Sequence, residues 1–239
     1  MKTGRLAPQR GYSLIEFIFA MAVSMIAVAA ISTATVTNLK TSRKEVARHK
    51  LDHQLRQVMD VITRDVARAG YWANSSSMIG TNVVNPYAPI TSTATCIAFM
   101  YNRDTPTPVA PNDDEKFGYA LSNGTILSRV PGAPVGCADF TGWSPLTDPN
   151  VVNITAFSVT QLFPNDTNST TASATEDGLS YTARRVVNGN NVLCVREFQL
   201  SLTGNLVLNS GVPVTQTLQT TVRVRNDWIQ RGAGAAPNC

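Results

Sequence analysis

An α+β protein, with one long amino-terminal helix packed on an antiparallel β-sheet head, is what three features of this 239-residue sequence predict. Glycine and proline, 15 and 13 in all, are both absent from Tyr12 to Ala69. Beyond Gly70 the chain breaks into short apolar runs separated by turn residues, the texture of antiparallel strands. All four cysteines lie in that second region. A chain of this length can bury a sizeable core. With 43% hydrophobic and 15% charged residues it reads neither as wholly disordered nor as collagen-like or polytopic in a membrane.

The breaker-free run reads as one helix of roughly 87 Å, at about 1.5 Å per residue. Gly70 ends it at the position where a left-handed residue is favoured. Its two halves differ in chemistry. Phe17 to Leu39 carries no charge, and these residues span about 35 Å against a hydrocarbon core of about 30 Å. From Lys40 the helix turns amphipathic. Leu51, Leu55, Val58, Ile62, Val66 and Ala69 recur every three or four residues and predict a core-facing stripe.

In the head, candidate strands are Thr95 to Tyr101, Phe117 to Leu121, Thr125 to Arg129, Ile154 to Phe163, Asn191 to Leu202 and Gln216 to Arg225. Asn123-Gly124 between the second and third predicts a two-residue hairpin. The polar stretches Asp104 to Lys116 and Pro164 to Gly178 read as surface loops.

Charge is distributed by segment. Residues 1–11 carry Lys2, Arg5 and Arg10 and no acid; between 12 and 39 the only charge is Glu16. Residues 40–69 hold eight basic and four acidic side chains, and 70–239 nine basic and eleven acidic. A slightly acidic head argues against nucleic acid as a partner. Basic residues flank the apolar run on both sides, so charge alone leaves its membrane orientation undecided.

Gly11-Tyr12-Ser13-Leu14-Ile15-Glu16 stands where the basic leader meets the apolar run. A secretory signal peptide, with Ala27-Val28-Ala29 as its exit, would explain the leader and the apolar core. It would explain neither a carboxylate at the mouth of that core nor a helix continuing far past the cut. A charge there costs several kcal/mol unless paired, so Glu16 asks for a partner.

These residues resemble the type IV prepilin signature: basic leader, glycine, aromatic residue, a few apolar or hydroxyl residues, glutamate, apolar helix. The resemblance implies a pilin-like fold and cleavage between Gly11 and Tyr12 by a prepilin peptidase. It further implies N-methylation of Tyr12 and pairing of Glu16 with the amino-terminal amine of a neighbouring subunit during assembly. Tyr12 replaces the commoner phenylalanine and keeps the ring. On this reading residues 1–11 are the leader, 12–39 the membrane and filament-core half of the helix, 40–70 its amphipathic half and 71–239 the head.

Further stretches carry the likeness along the chain: Asp65-Val66-Ala67-Arg68-Ala69-Gly70-Tyr71-Trp72, Cys96-Ile97, Gly118 to Asn123, Cys137 with Trp143 and Leu146-Thr147-Asp148-Pro149, and Val222-Arg223-Val224-Arg225-Asn226. They resemble the PilW-type minor pilins and are similar to the J-type minor pseudopilin of type II secretion. This resemblance implies a structural subunit that helps initiate type IV pilus assembly and sits at or near the tip. Its expected partners are the prepilin peptidase, other minor pilins, the major pilin and a tip adhesin. The expected location is the bacterial inner membrane, head in the periplasm, before assembly, and the pilus at the cell surface after it. A pseudopilin of type II secretion and a tip binding or adhesion module are the alternatives.

Cys96, Cys137, Cys194 and Cys239 in an oxidising compartment read as two disulfides with three connectivities open. The resemblance implies Cys96 with Cys137, leaving Cys194 with Cys239. No cysteine pair has zinc spacing and no metal or cofactor is expected. His49 and His53 share a helix face without the glutamate of a metalloprotease motif and read as a solvated surface. Asn112-Asp113-Asp114-Glu115 lacks the spaced ligands of a calcium loop and reads as a soluble loop. Asn-x-Ser/Thr triplets at Asn74, Asn123, Asn153, Asn165 and Asn168 carry little information in a Ser/Thr-rich chain. With both histidines on the stem, a nucleophile–histidine machine in the head is excluded. A carboxylate-pair hydrolase would have only Asp139, Asp148 and Glu197 as nominees. No enzymatic activity is expected.

Overall fold

A computed structural model describes residues 11, 13–78, 85–103, 110–162, 184–185, 192–194, 196–207, 213–226 and 228–230. The chain divides into two units, Met1–Val46 and Ala47–Cys239. The first helix, α1, runs Leu14–Arg68, 55 residues. Every described residue up to Val46 is exposed.

In the second unit α1 buries the stripe that the periodicity predicts: Leu51, Leu55, Ile62, Val66 and Ala69 are fully inaccessible and Val58 nearly so. Ala47 and Met59, which the stripe omits, join them. Gly70 ends the helix with φ +76°, the left-handed region that glycine enters without Cβ strain. Asn226 Nδ2 donates to the Arg68 and Ala69 carbonyls at 3.0 and 3.1 Å, and the Arg225 amide donates to the Ala67 carbonyl at 3.0 Å. A residue far along the chain thus satisfies carbonyls that a helix end leaves orphaned.

Three antiparallel sheets complete the unit. β1 (Ile90–Thr93), β2 (Cys96–Met100), β3 (Lys116–Ser122), β4 (Thr125–Ser128) and β5 (Ser144–Pro145) form a five-stranded meander in sequence order. β6 (Asn153–Gln161), β9 (Glu197–Val207) and β10 (Pro213–Arg223) form a second sheet with β9 central. β7 (Arg184–Arg185), β8 (Val192–Cys194) and β11 (Trp228–Gln230) form a third, ordered β11-β8-β7. Amides of β6 donate to hairpin-tip carbonyls of the first sheet, Val159 to Ala94 at 3.1 Å and Ile154 to Gly124 at 2.8 Å.

Asn123 and Gly124 both have positive φ, 48° and 76°, the geometry the predicted hairpin requires. The expected strand Asn191 to Leu202 is instead split into β8 and β9 around Arg196, which is buried and whose carbonyl accepts the Val224 amide at 2.9 Å. The strands β1, β5, β7 and β11 were not expected from sequence. They are two to four residues long, and the pair β5 and β7 consist of Ser-Pro and Arg-Arg, too short or too polar to show a period.

One core joins the helix stripe to Ile97, Phe99, Tyr101, Tyr119, Ile126, Phe157, Phe198, Leu200 and Leu202. Strand alternation sends Cys96, Ala120 and Leu127 to the opposite face of the first sheet, where Trp143, Phe140 and Cys137 cover them. Trp143 lies against the backbone of Gly118: a Cβ there would come within 2.5 Å of its ring. Cys96 and Cys137 form a disulfide with Cα atoms 5.7 Å apart. The backbone of Cys194 ends β8; its side chain and Cys239 lie outside the described residues.

Candidate processing and assembly site

At the start of α1, Gly11 is exposed, and a methyl group built on it would meet nothing within 4 Å. Tyr12 lies outside the described residues, as do residues 1–10 of the expected leader. The Ser13 carbonyl accepts the Phe17 amide at 3.2 Å, so Ser13, a favoured residue type there, stands at the N-cap. Glu16 falls in the first turn, where the positive end of the helix favours a carboxylate. Its side chain is exposed, and among the described residues no donor is bonded to it.

The next turns are apolar on every side, with Leu14, Met25 and Ile26 exposing 77%, 67% and 71% of their surface. Hydroxyls interrupt this surface only at Ser24, Ser32, Thr33, Thr35 and Thr37. Each donates back to a carbonyl three or four residues earlier, those of Met21, Val28, Ala30, Ile31 and Thr33, at 2.7–2.9 Å. None leaves a polar hydrogen unmet in hydrocarbon, and the β-branched stretch Ile31 to Asn38 stays helical. α1 is long and apolar enough to cross a membrane.

In the second unit several carboxylates have partners within the chain. Asp65, in the last turns of α1, accepts the Tyr119 hydroxyl at 2.6 Å and the Tyr101 hydroxyl at 3.3 Å, tying helix to sheet. Burial, reinforced by Asp65, pushes the Tyr119 phenol far up. The acidic run expected to be a soluble loop is not one. Asp113–Glu115 is a 3-10 turn, and Glu115 is buried with only 1% of its surface exposed. Glu115 accepts from Asn102 Nδ2 at 2.6 Å, the Tyr87 hydroxyl at 2.7 Å, and the Asn112 and Arg103 amides at 2.8 and 3.0 Å. Burial alone would raise its pKa, but the four donors, led by Tyr87, hold it below the ordinary value. The same burial pushes the Tyr87 phenol up to about 12.

Asp113 accepts from the Gly132 amide and from Arg129 Nη2, and the Gly132 contact is the chief cause of its lowered pKa. Arg129 is itself buried and also donates to the carbonyls of Asp113, Lys116, Ala133 and Pro134. It thereby fixes the loop that carries Cys137 and Trp143. Nothing in the sequence marks Arg129 or Glu115 for these duties, because Asp113 and Lys116, which Arg129 meets, and Tyr87 and Asn102, which meet Glu115, lie 13 to 28 positions away.

Of the hydrolase nominees, Asp139 is held by the Thr141 amide and hydroxyl, and Asp148 by the Asn150 amide and side chain. Glu197 opens β9. His49 and His53 are exposed on α1. Of the two loops expected at the surface, 104–109 and the whole of Pro164 to Gly178 lie outside the described residues.

A lone glutamate in the first turn of an exposed apolar helix, ahead of an α+β unit, defines a type IV pilin-like protein, a structural rather than enzymatic class. The prokaryotic N-terminal methylation motif matches residues 6–32. The chain belongs to the prepilin peptidase-dependent protein B family, which matches residues 44–224. No curated protein matches it in sequence. Among solved structures it is similar to a type IV-like pilin from Thermus thermophilus at 12% identity and a TM-score of 0.40, covering 73% of this chain and 95% of that one.

Proposed function

We propose that this chain is a minor pilin of the PilW type, cut between Gly11 and Tyr12, N-methylated on Tyr12 and assembled through Glu16. The observation that carries the reading is the Glu16 carboxylate, without a partner among the described residues, at the mouth of an uncharged 23-residue stretch inside the matched methylation motif. A charge so placed is costly in lipid or in a helical bundle unless an opposite charge meets it. The amine released by cleavage on a neighbouring subunit is such a charge, and methylation retains it. Residues 12–39 anchor the subunit in the inner membrane with the head on the periplasmic side, then join the filament core beside other minor pilins and the major pilin. A place at or near the tip, and contact with a tip adhesin there, complete the proposal.

Intact mass and amino-terminal sequencing of the protein recovered from its host envelope test it. A methylated Tyr12 start is expected; a start near Ala30 in a soluble fraction would overturn it. Deletion separates the two filament roles: loss of surface pili supports the pilus, and loss of secreted enzymes instead supports a type II secretion pseudopilin.

A further inference from the structure

We propose that Lys40, Arg43 and Lys44 form a cationic collar that binds anionic phospholipid headgroups where α1 leaves the bilayer. The proposal rests on the membrane-anchoring reading above and extends it to the lipid class. Phe17 to Leu39 is uncharged and about matches the hydrocarbon thickness, so Lys40 emerges at its boundary. The three cations lie within four residues, a rise of about 6 Å on a helix, comparable to the depth of one headgroup layer. Their spacing of three and four residues from Lys40 places them on one side of the helix.

Among the described residues these three cations have no counter-charge. Farther along α1, Arg56 bonds Asp52 at 2.7 Å and Arg64 bonds Asp60 at 2.8 Å, each acid four residues ahead of its arginine. Ahead of Lys40, Arg43 and Lys44 by four stand Val36, Leu39 and Lys40. The one neighbouring acid, Glu45, is five, two and one residues away, none of them the three- or four-residue spacing at which helix side chains meet. All three cations are exposed, and among the described residues none makes an ion pair. The same helix that neutralises its arginines beside the sheets presents three unneutralised cations at the depth of the phosphates. Removal of the leader takes Lys2, Arg5 and Arg10 with it, so in the processed chain the collar becomes the main basic flank of the span.

The test reconstitutes the leader-free chain, beginning at Tyr12, into vesicles of phosphatidylcholine containing a spin-labelled lipid, either phosphatidylglycerol or phosphatidylcholine, and reads the motionally restricted fraction. Flotation with the vesicles is scored first. The wild type is expected to favour phosphatidylglycerol by about fivefold per engaged cation. The preference is expected to fall to near unity in the Lys40→Gln/Arg43→Gln/Lys44→Gln variant and in high salt, with flotation unchanged. Equal association of the two lipids with floating wild type, or a preference that survives the triple substitution, overturns the collar while leaving the anchor intact. Wild type without lipid preference, paired with loss of the triple variant from filaments, would assign the cations to an acidic neighbouring subunit instead. Failure of the wild type to float overturns the anchor itself.

Discussion

Glu16 and Glu115 are the same residue type treated in opposite ways. Glu115 is enclosed in the second unit and meets four donors from residues 87, 102, 103 and 112. Glu16 opens an apolar helix in the first unit and meets none among the described residues. The difference teaches how to sort carboxylates in apolar settings. One whose donors come from its own chain holds the fold, and one that lacks them is, on the function proposed above, left for a partner outside it.

Substitutions put that contrast to the test. The largest expected loss of stability comes from the Cys96–Cys137 disulfide on the far face of the first sheet. It closes a sequence separation of 41 residues, and the paired Cys96→Ser/Cys137→Ser variant should lose about 4 kcal/mol on the loop-entropy account. Urea unfolding of the detergent-solubilised chain measures it. Next, Glu115→Ala strands a buried hydroxyl, a side-chain amide and two backbone amides and should cost about 3 kcal/mol. Glu16→Ala should leave the same unfolding curve within about 0.5 kcal/mol while abolishing incorporation into filaments. Equal stability losses from the two glutamate variants would erase the distinction.

The pH dependence has a definite sign. Because the folded pKa of Glu115 lies below the ordinary 4.5, its stabilisation is complete above that value and is lost as pH falls through the lower folded one. Glu115→Gln should flatten this acid limb, read as midpoint against pH. Smaller still, Asn226→Ala removes the side chain that meets two carbonyls at the end of α1 and should cost about 1 kcal/mol.

Much of the helix was legible because its signals are local. A breaker-free run, a stripe of six residues and a terminal glycine each act within a few turns, and the structure returns all three. The Asn123-Gly124 hairpin was legible for the same reason, since positive φ at two successive residues is a demand on those residues alone. The burial of Glu115 was illegible because the acidic run has the composition of a solvated loop, and three of the four donors that enclose Glu115 come from 12 to 28 positions away. The short strands β5 and β7 were illegible because two residues cannot express a period.

The long helix, its change at Lys40 from uncharged to amphipathic, the placement of Gly11 and Glu16 at its mouth and the β-rich character of the chain beyond Gly70 are readable from the residues alone. Each is set by composition or by spacing along a regular element. Only the tertiary structure decided that Glu115 and Arg129 are interior, that Asn226 caps α1 and that Asp65 reaches Tyr101 and Tyr119. It also decided which half of the strand expected at 191–202 turns aside at Arg196. Those contacts join separate segments of the chain, Asn226 and Arg68 being 158 positions apart, and whether a charged side chain is solvated or enclosed depends on which donors folding brings within about 3 Å of it.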